Sequence, residues 1–194
     1  KIHDMNNKNI TDLIKFSDNI FWQSDLTSAT YENNYEDQII FSINKLSNVD
    51  SVSLVVTAIN TEISNICFGY LQNVLGDEFV NFTRTIETDP EITSAMKNVL
   101  IRSALKVDVW DENNWKYIDL IYPEANYVKF DKLIKLPKLN YDKDEMQIRL
   151  RCLSDVWKID AIQYDDSPIS NFKKFPPRLI SFNSNTKYDF NTIT

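Results

Sequence analysis

The 194-residue sequence contains only two glycines, Gly69 and Gly76, against a usual share of about 7%. A phosphate-cradling loop needs several glycines close together, so the nucleotide-binding classes built on such loops are excluded. Turns must use other residues, and asparagine and aspartate tolerate the left-handed backbone region better than other non-glycine residues. We therefore expect Asn and Asp where the chain reverses.

Histidine and cysteine are almost as scarce. The only histidine, His3, would have to fold back from the N-terminal arm to serve a Ser-His-Asp or Cys-His catalytic group. A single histidine also excludes a metal site built on several histidines. Cys67 and Cys152 each occupy an apolar position of their segments, which favours two buried free thiols. A disulfide between them stays the alternative.

Long apolar runs and excess positive charge are also absent. No run approaches the ~20 apolar residues that a membrane-spanning helix needs. The net charge of −7 repels a phosphate backbone and disfavours nucleic acid as a partner. Hydrophobic residues nevertheless make up 43% of the chain and aromatic residues 12%, which is enough for a sizeable folded core. These totals predict a folded domain with no membrane span.

Alternation of apolar and polar residues dominates the middle of the chain. Residues 105–110 alternate strictly, a polar turn follows at 111–114, and residues 115–121 return as the second strand of a hairpin. Many short strands separated by turn signals predict a mainly β fold, an antiparallel β-sandwich of jelly-roll type. The same reasoning places other strands at 37–44, 52–59, 127–134, 145–153, 156–164 and 178–183.

Two segments interrupt the β pattern with helical spacing. Over 61–75 apolar residues recur every three or four positions, and Gly76 stands where a left-handed residue is favoured after a helix. Asp89-Pro90-Glu91 supplies a capping aspartate, a first-turn proline and an acid at the start of a second helix. Between them, residues 79–86 have a strand pattern. We expect both amphipathic helices to pack on the sheet with their apolar faces buried.

The chain 1–194 is predicted to be a single β-sandwich domain. Residues 1–36 form an N-terminal arm and a long loop, 37–166 form the core, and 167–194 form an irregular crossover and the last strand. Aperiodic loops as long as the one before residue 37 are often functional or flexible.

Several short motifs occur together in the core. A strand ending Ile59-Asn60-Thr61 leads into the first helix, and Val107-Asp108-Val109-Trp110 precedes Trp115. Ile148-Arg149-Leu150 is followed by Trp157-Lys158-Ile159-Asp160. Together they resemble galactose-binding-domain-like jelly rolls, the fold of many carbohydrate-binding modules and adhesive surface domains. The resemblance covers roughly residues 37–166. It implies sugar binding without catalysis, often a structural calcium ion, and an extracellular or cell-surface location.

Aromatic residues outside the strong strand patterns are the candidate ligand-binding residues. Planar rings stack on sugars because the C–H groups of the sugar meet the negative face of the ring. Trp110 and Trp157 lie within strands and are expected in the core or at its rim. The candidates for ligand binding are Trp22, Tyr31, Tyr35 and Tyr122, with packing as the alternative for each.

Acidic residues supply the candidate metal ligands. Calcium takes six to eight oxygen ligands, and acidic loops offer carboxylates at several places. The favoured pairing joins Asp165 or Asp166 to Asp18 or Asp25, which would tie the end of the sheet to the N-terminal loop. Solvated surface charge is the alternative for all four.

Three functions follow, in order of preference. The first is a non-catalytic binding module for a glycan or a surface protein. The second is a structural or protein-interaction subunit of a cell-surface complex. The third is a glycoside hydrolase using a carboxylate pair chosen from Asp108, Asp119 and Asp160, whose alternative is the polar face of a sheet. No catalytic motif is present, so we expect a protein that is not an enzyme.

Overall fold

A computed structural model describes residues 1–26, 30–44, 52–124, 128–136 and 145–165. Within these residues the chain forms nine strands and three α-helices. In chain order they are β1 (Ile2–Asp4), β2 (Trp22–Gln23), β3 (Glu36–Asn44), β4 (Ser53–Asn60), α1 (Ile63–Leu75), α2 (Phe79–Thr88), α3 (Pro90–Ser103), β5 (Leu105–Asp111), β6 (Asn114–Ile121), β7 (Phe130–Lys135), β8 (Glu145–Leu153) and β9 (Trp157–Asp165).

The strands form two antiparallel sheets. One has the order β1-β3-β8-β5-β6 and the other the order β2-β9-β4-β7. Apolar side chains from both sheets belong to one buried cluster, so the sheets pack face to face. The predicted fold class, a mainly β antiparallel sandwich with amphipathic helices, is confirmed.

Alternation along the strands decides which side chains leave the core. On β3, every second residue from Asp37 to Ile43 is buried, while Glu36 and its alternate neighbours point the other way. Ile39 pairs with Leu150 of β8, which in turn pairs with Val107 of β5. These positions share the core side because strand neighbours in register face the same way. The opposite side, here called the outer face, receives the charged residues.

Both predicted helices form, as α1 and α3. Asp89 caps α3 by accepting hydrogen bonds from the backbone N–H groups of Glu91 and Ile92, and Gly76 ends α1 with φ of 50°. The strand predicted at 79–86 is wrong, because this segment is the helix α2. Its apolar residues also fit helical spacing, and the rings of Phe79 and Phe82 lie 6.5 Å apart.

The helices contact the sandwich, but many of their apolar side chains are exposed to solvent. α3 contacts β8, and α1 contacts α2, but α2 and α3 contain no buried residue. On α1, Ile66, Tyr70 and Val74 are 63%, 71% and 61% exposed. The expectation that α1 buries its apolar face against the sheet is therefore met only in part, because Ile63 packs against the core cluster while these three side chains are exposed.

The N-terminal 36 residues do more than form an arm and a loop. β1 pairs with β3 at one edge of the first sheet, and β2 pairs with β9 at one edge of the second. Turns use Asn and Asp, as the scarcity of glycine predicted. Among the described residues, six non-glycine residues have a positive φ, and four of them are Asn or Asp: Asn7, Asn19, Asn34 and Asp155, beside Tyr35 and Glu112.

Some predicted features fall beyond what the structure describes. Asp166, the crossover and last strand at 167–194 and the side chain of Cys67 lie outside the described residues. Cys152 is a buried free thiol on β8, and burial raises its pKa. None of the helices described above is long and apolar enough to cross a membrane.

Candidate functional site

A charged network occupies the outer face of the five-stranded sheet. The register places Arg151 beside Lys106 and Arg149 beside Asp108, on β8 and β5. Glu36 begins the neighbouring strand β3. Three adjacent strands thus bring three cations and two carboxylates together, although these residues are distant in sequence.

Asp108 is the centre of this network and is buried. Arg149 donates to its Oδ2 from Nε and Nη2 at 2.9 and 2.8 Å. Arg151 donates to the same oxygen from Nε at 2.6 Å. A buried carboxylate is tolerated when cations and hydrogen bonds compensate for its lost hydration, and Asp108 has both.

Glu36 extends the network towards the end of the sheet. Its carboxylate accepts a hydrogen bond from Nη1 of Arg151 at 2.7 Å and forms an ion pair with Lys106. Burial opposes ionisation of Glu36, but the hydrogen bonds and positive charges of Lys106 and Arg151 outweigh it and hold its pKa below the ordinary value. Glu36 is therefore an ionised carboxylate at neutral pH.

Two tryptophans border the network on the outer face. Trp110 and Trp115 pair across the β5–β6 hairpin with ring centres 5.2 Å apart in an edge-to-face arrangement. The guanidinium carbon of Arg149 lies 4.4 Å from the centre of the Trp115 ring. This cation–π contact and the two hydrogen bonds to Asp108 hold Arg149 in one orientation.

A cleft of about 340 Å³ opens where this network meets the end of α3. Its volume is within the usual range for small-molecule sites, roughly 300–1,000 Å³. Three structural units line it: the turn before β3, the C-terminal half of α3 and the three strands of the network. The lining residues are Asn34, Glu36, Asn98, Ile101, Arg102, Lys106 and Arg151.

Two of the predicted ligand-binding tyrosines lie in the turn beside this cleft. Tyr31 is 83% exposed, and its carbonyl accepts the backbone N–H of Asn34 at 3.2 Å. Tyr35 lies between two lining residues and adopts a φ of 60°, which is rare for a bulky side chain. The N–H of Ser154 donates to the Tyr35 carbonyl at 2.9 Å and supports this strained conformation. Strain of this kind concentrates at functional sites.

The other two predicted aromatic residues are placed elsewhere. Trp22 was expected in a loop, but it forms strand β2, pairs with Ile159 and is only 6% exposed. The prediction of a loop position is wrong because Trp22 fills the core between the sheets. Tyr122 follows β6 and is exposed, but it does not line the cleft.

Three of the four predicted calcium ligands, Asp18, Asp25 and Asp165, lie among the described residues, and Asp166 lies outside them. The N–H of Ser24 donates to Trp157, so Asp25 lies near one end of β9, whereas Asp165 ends the strand eight residues on, roughly 26 Å away. An oxygen of Asp18 instead accepts the nearby N–H of Ile20. No cluster of three or more metal-binding side chains occurs in the described ranges. Because Asp166 lies outside those ranges, the calcium site stays a prediction.

The three candidate glycosidase carboxylates are not all in one sheet, although Asp108 and Asp119 lie on the paired strands β5 and β6. Asp108 and Asp119 belong to one sheet and Asp160 to the other. Asp160 is buried and accepts hydrogen bonds from Ser17, Lys129 and the backbone of Asn19. Its environment is that of a structural carboxylate, which matches the alternative stated for it.

Sequence reasoning missed the cations that line the cleft. Lys106 and Arg151 were read as polar positions of strands, and Arg102 as a polar residue of a helix. The sequence offers one signal for this cluster: several strands carry charged residues at positions that face away from the core. Using it requires the strand order β3-β8-β5, in which β3 pairs with residues of β8 that are more than 100 positions away in the chain.

Comparison with known proteins adds no relative. The chain matches no known family model, and no curated protein is similar to it at a significant level. Its function therefore has to be inferred from the chemistry of the cleft and the fold around it.

Proposed function

We propose that this chain is a non-catalytic binding module that recognises a glycan in the cleft between α3 and the turn at 30–35. The observation that carries the proposal is a cleft of ligand size lined by fixed polar groups, next to a turn that carries two exposed tyrosines. The two-sheet architecture and the early sequence motifs support a galactose-binding-like jelly roll, a type common in surface or secreted proteins.

The chemistry of the lining suits a sugar. Asn34 and Asn98 each offer an amide that can donate and accept, as a hydroxyl requires. Tyr31 and Tyr35 belong to the same turn as the lining residue Asn34, and an aromatic ring can pack against the C–H face of a sugar. Polar groups would thus select the hydroxyl pattern while the rings contribute contact area.

Binding without catalysis is favoured by the state of the carboxylates. A glycosidase needs one carboxylic acid that holds a proton and a second carboxylate nearby. Glu36 is ionised by its two cationic partners, and Asp108 accepts hydrogen bonds from two arginines. Glu36 is therefore not a proton donor, and the carboxylate oxygens of Asp108 are occupied by the two arginines.

The test is a glycan array probed with the purified chain, with calcium present and with chelator, followed by calorimetry on the strongest sugar. Tyr31→Ala is expected to weaken binding at least several-fold and leave the melting temperature unchanged. Tyr70→Ala on α1 is the matched control, because Tyr70 is equally exposed and remote from the cleft lining. The proposal would be overturned if no glycan on the array bound the chain, or if Tyr31→Ala and Tyr70→Ala lost the same amount of affinity.

A second function is favoured by a separate observation. The exposed Ile66, Tyr70 and Val74 form an apolar strip along α1, as a protein-interaction subunit would need. Sedimentation of the chain with and without Val74→Ser tests whether the strip mediates self-association. A monomer at all concentrations that also binds sugars would leave the glycan-binding function preferred.

A further inference from the structure

We infer that the ligand of the cleft carries an anionic group, a carboxylate or sulfate on a sugar, and that Arg102 binds this group. The inference rests on the proposed glycan-binding function and specifies its substrate class. It comes from the charges that line the cleft and from the ion pairs that already engage some of them.

The cleft is positive although the protein is acidic. Three cations, Arg102, Lys106 and Arg151, line it together with one carboxylate, Glu36, whereas the whole chain has a net charge of −7. The lining therefore carries a surplus of two positive charges. A local potential of the opposite sign to the whole surface attracts a ligand of complementary charge to this position.

The cations differ in their availability. Lys106 pairs with Glu36, and Arg151 donates to both Glu36 and Asp108. The guanidinium of Arg102 forms no ion pair and no hydrogen bond with any residue that the structure describes. Its planar guanidinium can therefore offer two parallel donors to a carboxylate or sulfate, the geometry in which arginine binds such groups most strongly.

Lys106 and Arg151 would add positive charge near the anionic group, while Arg102 would bind it directly. The ion pairs to Glu36 hold Lys106 and Arg151 at the cleft wall, and Asp108 fixes the far side of Arg151. Asn98, one helical turn before Arg102 on α3, lines the same cleft. An anionic sugar could therefore place its charged group against Arg102 and its hydroxyls against the amides.

Arg102 has one competing structural role, which an experiment can separate. It lies in the last turn of α3, where any cation stabilises the helix through the negative end of the helix dipole. Lysine would preserve that effect, but it would lose the two-pronged donor geometry. Arg102→Lys should thus keep the melting temperature and still weaken binding.

The experiment is calorimetry with pairs of oligosaccharides that differ only in charge. Oligogalacturonate is compared with its methyl ester, sialyllactose with lactose, and a sulfated galactose oligomer with its unsulfated form. We expect the charged member of at least one pair to bind roughly tenfold or more tightly, since a hydrogen bond to a charged group has about that effect. The pair that responds distinguishes carboxylate from sulfate.

Variants assign the effect to the residue. Arg102→Met should lower affinity for the charged sugar roughly ten- to a hundredfold, while Arg84→Met, which removes an exposed arginine from α2, should have no effect. Asn98→Asp provides a second test, because a new carboxylate in the cleft should weaken binding of the charged sugar by a larger factor than binding of the neutral one, which loses only the amide donor. Thermal melting of each variant verifies folding.

The outcomes separate this inference from the proposed function. Equal affinity for charged and neutral sugars would overturn the anionic ligand and leave a glycan-binding module. Equal weakening by Arg102→Met and Arg84→Met would overturn the role of Arg102. Binding of free sulfate or citrate as tight as the charged sugar would also overturn the inference, because the cleft would then select charge alone. Binding of no sugar at all would remove the proposed function itself.

Discussion

The ammonium group of Lys129 lies 2.7 Å from the carboxylate of Asp160, so the residue before β7 is joined to the middle of β9. The same carboxylate accepts hydrogen bonds from the Ser17 hydroxyl and the Asn19 backbone, both at 2.9 Å. One buried acid thus anchors the N-terminal segment to the four-stranded sheet. This link is made by Asp160 in the middle of β9, and the calcium-mediated link predicted for the end of the sheet stays a prediction.

Replacing Asp160 by asparagine should destabilise the protein in a pH-dependent way. Burial opposes ionisation of Asp160, but Lys129, Ser17 and Asn19 outweigh it and keep its pKa below the ordinary value. A carboxylate with a lowered folded-state pKa stabilises the fold above the unfolded-state pKa, about 3.9, and this contribution disappears as pH falls through the folded-state pKa. Asp160→Asn should cost about 1.5–3 kcal/mol at pH 7 and progressively less below pH 4. Urea unfolding at several pH values measures this.

Asp37 is the matched control for that experiment. It is also a buried carboxylate, but burial raises its pKa more than the N–H groups of Asp25 and Gln38 lower it. A raised folded-state pKa costs stability as pH rises through it. The Asp37→Asn variant should therefore improve relative to the wild type as pH increases, opposite to Asp160→Asn. The same trend in both variants would contradict the assigned environments.

The strands and two helices could be read from the sequence because their signals are local. Strand β8 matches the predicted 145–153, and α3 begins at the proline that follows its capping aspartate. The apolar residues of the α2 segment fit both the strand period and the helical period. In the structure the segment follows α1 through a helical turn at Gly76–Glu78 and continues as a helix.

The residues in and beside the cleft could be predicted only in part, because some of them meet through contacts between distant segments of the chain. Tyr31 and Tyr35 stood out as aromatic residues in a loop, which is a local property. Glu36, Lys106 and Arg151 meet through pairing of strands that are distant in the chain, and no local pattern encodes that neighbourhood. Trp22 was misplaced because a two-residue strand leaves no periodicity to detect.

Relieving the backbone strain at Tyr35 should raise stability and lower binding. Asparagine tolerates the left-handed region in which Tyr35 lies, so Tyr35→Asn should increase the free energy of unfolding by about 0.5–1 kcal/mol. The loss of the ring should weaken the glycan found on the array. Tyr164→Asn, an exposed residue on β9, is the control. A variant that binds normally would remove Tyr35 from the site.

Trp22→Ala should lower the stability of the fold, and its effect should not be limited to ligand binding. The ring is buried in the core cluster with Trp157, and truncating a core tryptophan costs about 3–5 kcal/mol. For a chain of this size that corresponds to a fall in melting temperature of roughly 6–20 °C. Tyr31→Ala serves as the exposed aromatic control. A melting temperature within two degrees of the wild type would place the Trp22 ring outside the core.

Stability should depend on the sandwich far more than on the helices. Leu54 is fully buried on β4, and Leu54→Ala should cost about 2–5 kcal/mol. Leu71 on α1 is only partly buried, so Leu71→Ala should cost about 1 kcal/mol, the central value for ordinary substitutions. Chemical denaturation of the two variants at the same protein concentration compares identical truncations. Equal losses in the free energy of unfolding would mean that α1 is buried in solution, against either a second copy or another part of the chain. Sedimentation would then distinguish these two cases by the mass of the particle. A small cost for Leu71 in a monomer would instead identify α1 as a helix that remains uncovered in the isolated protein.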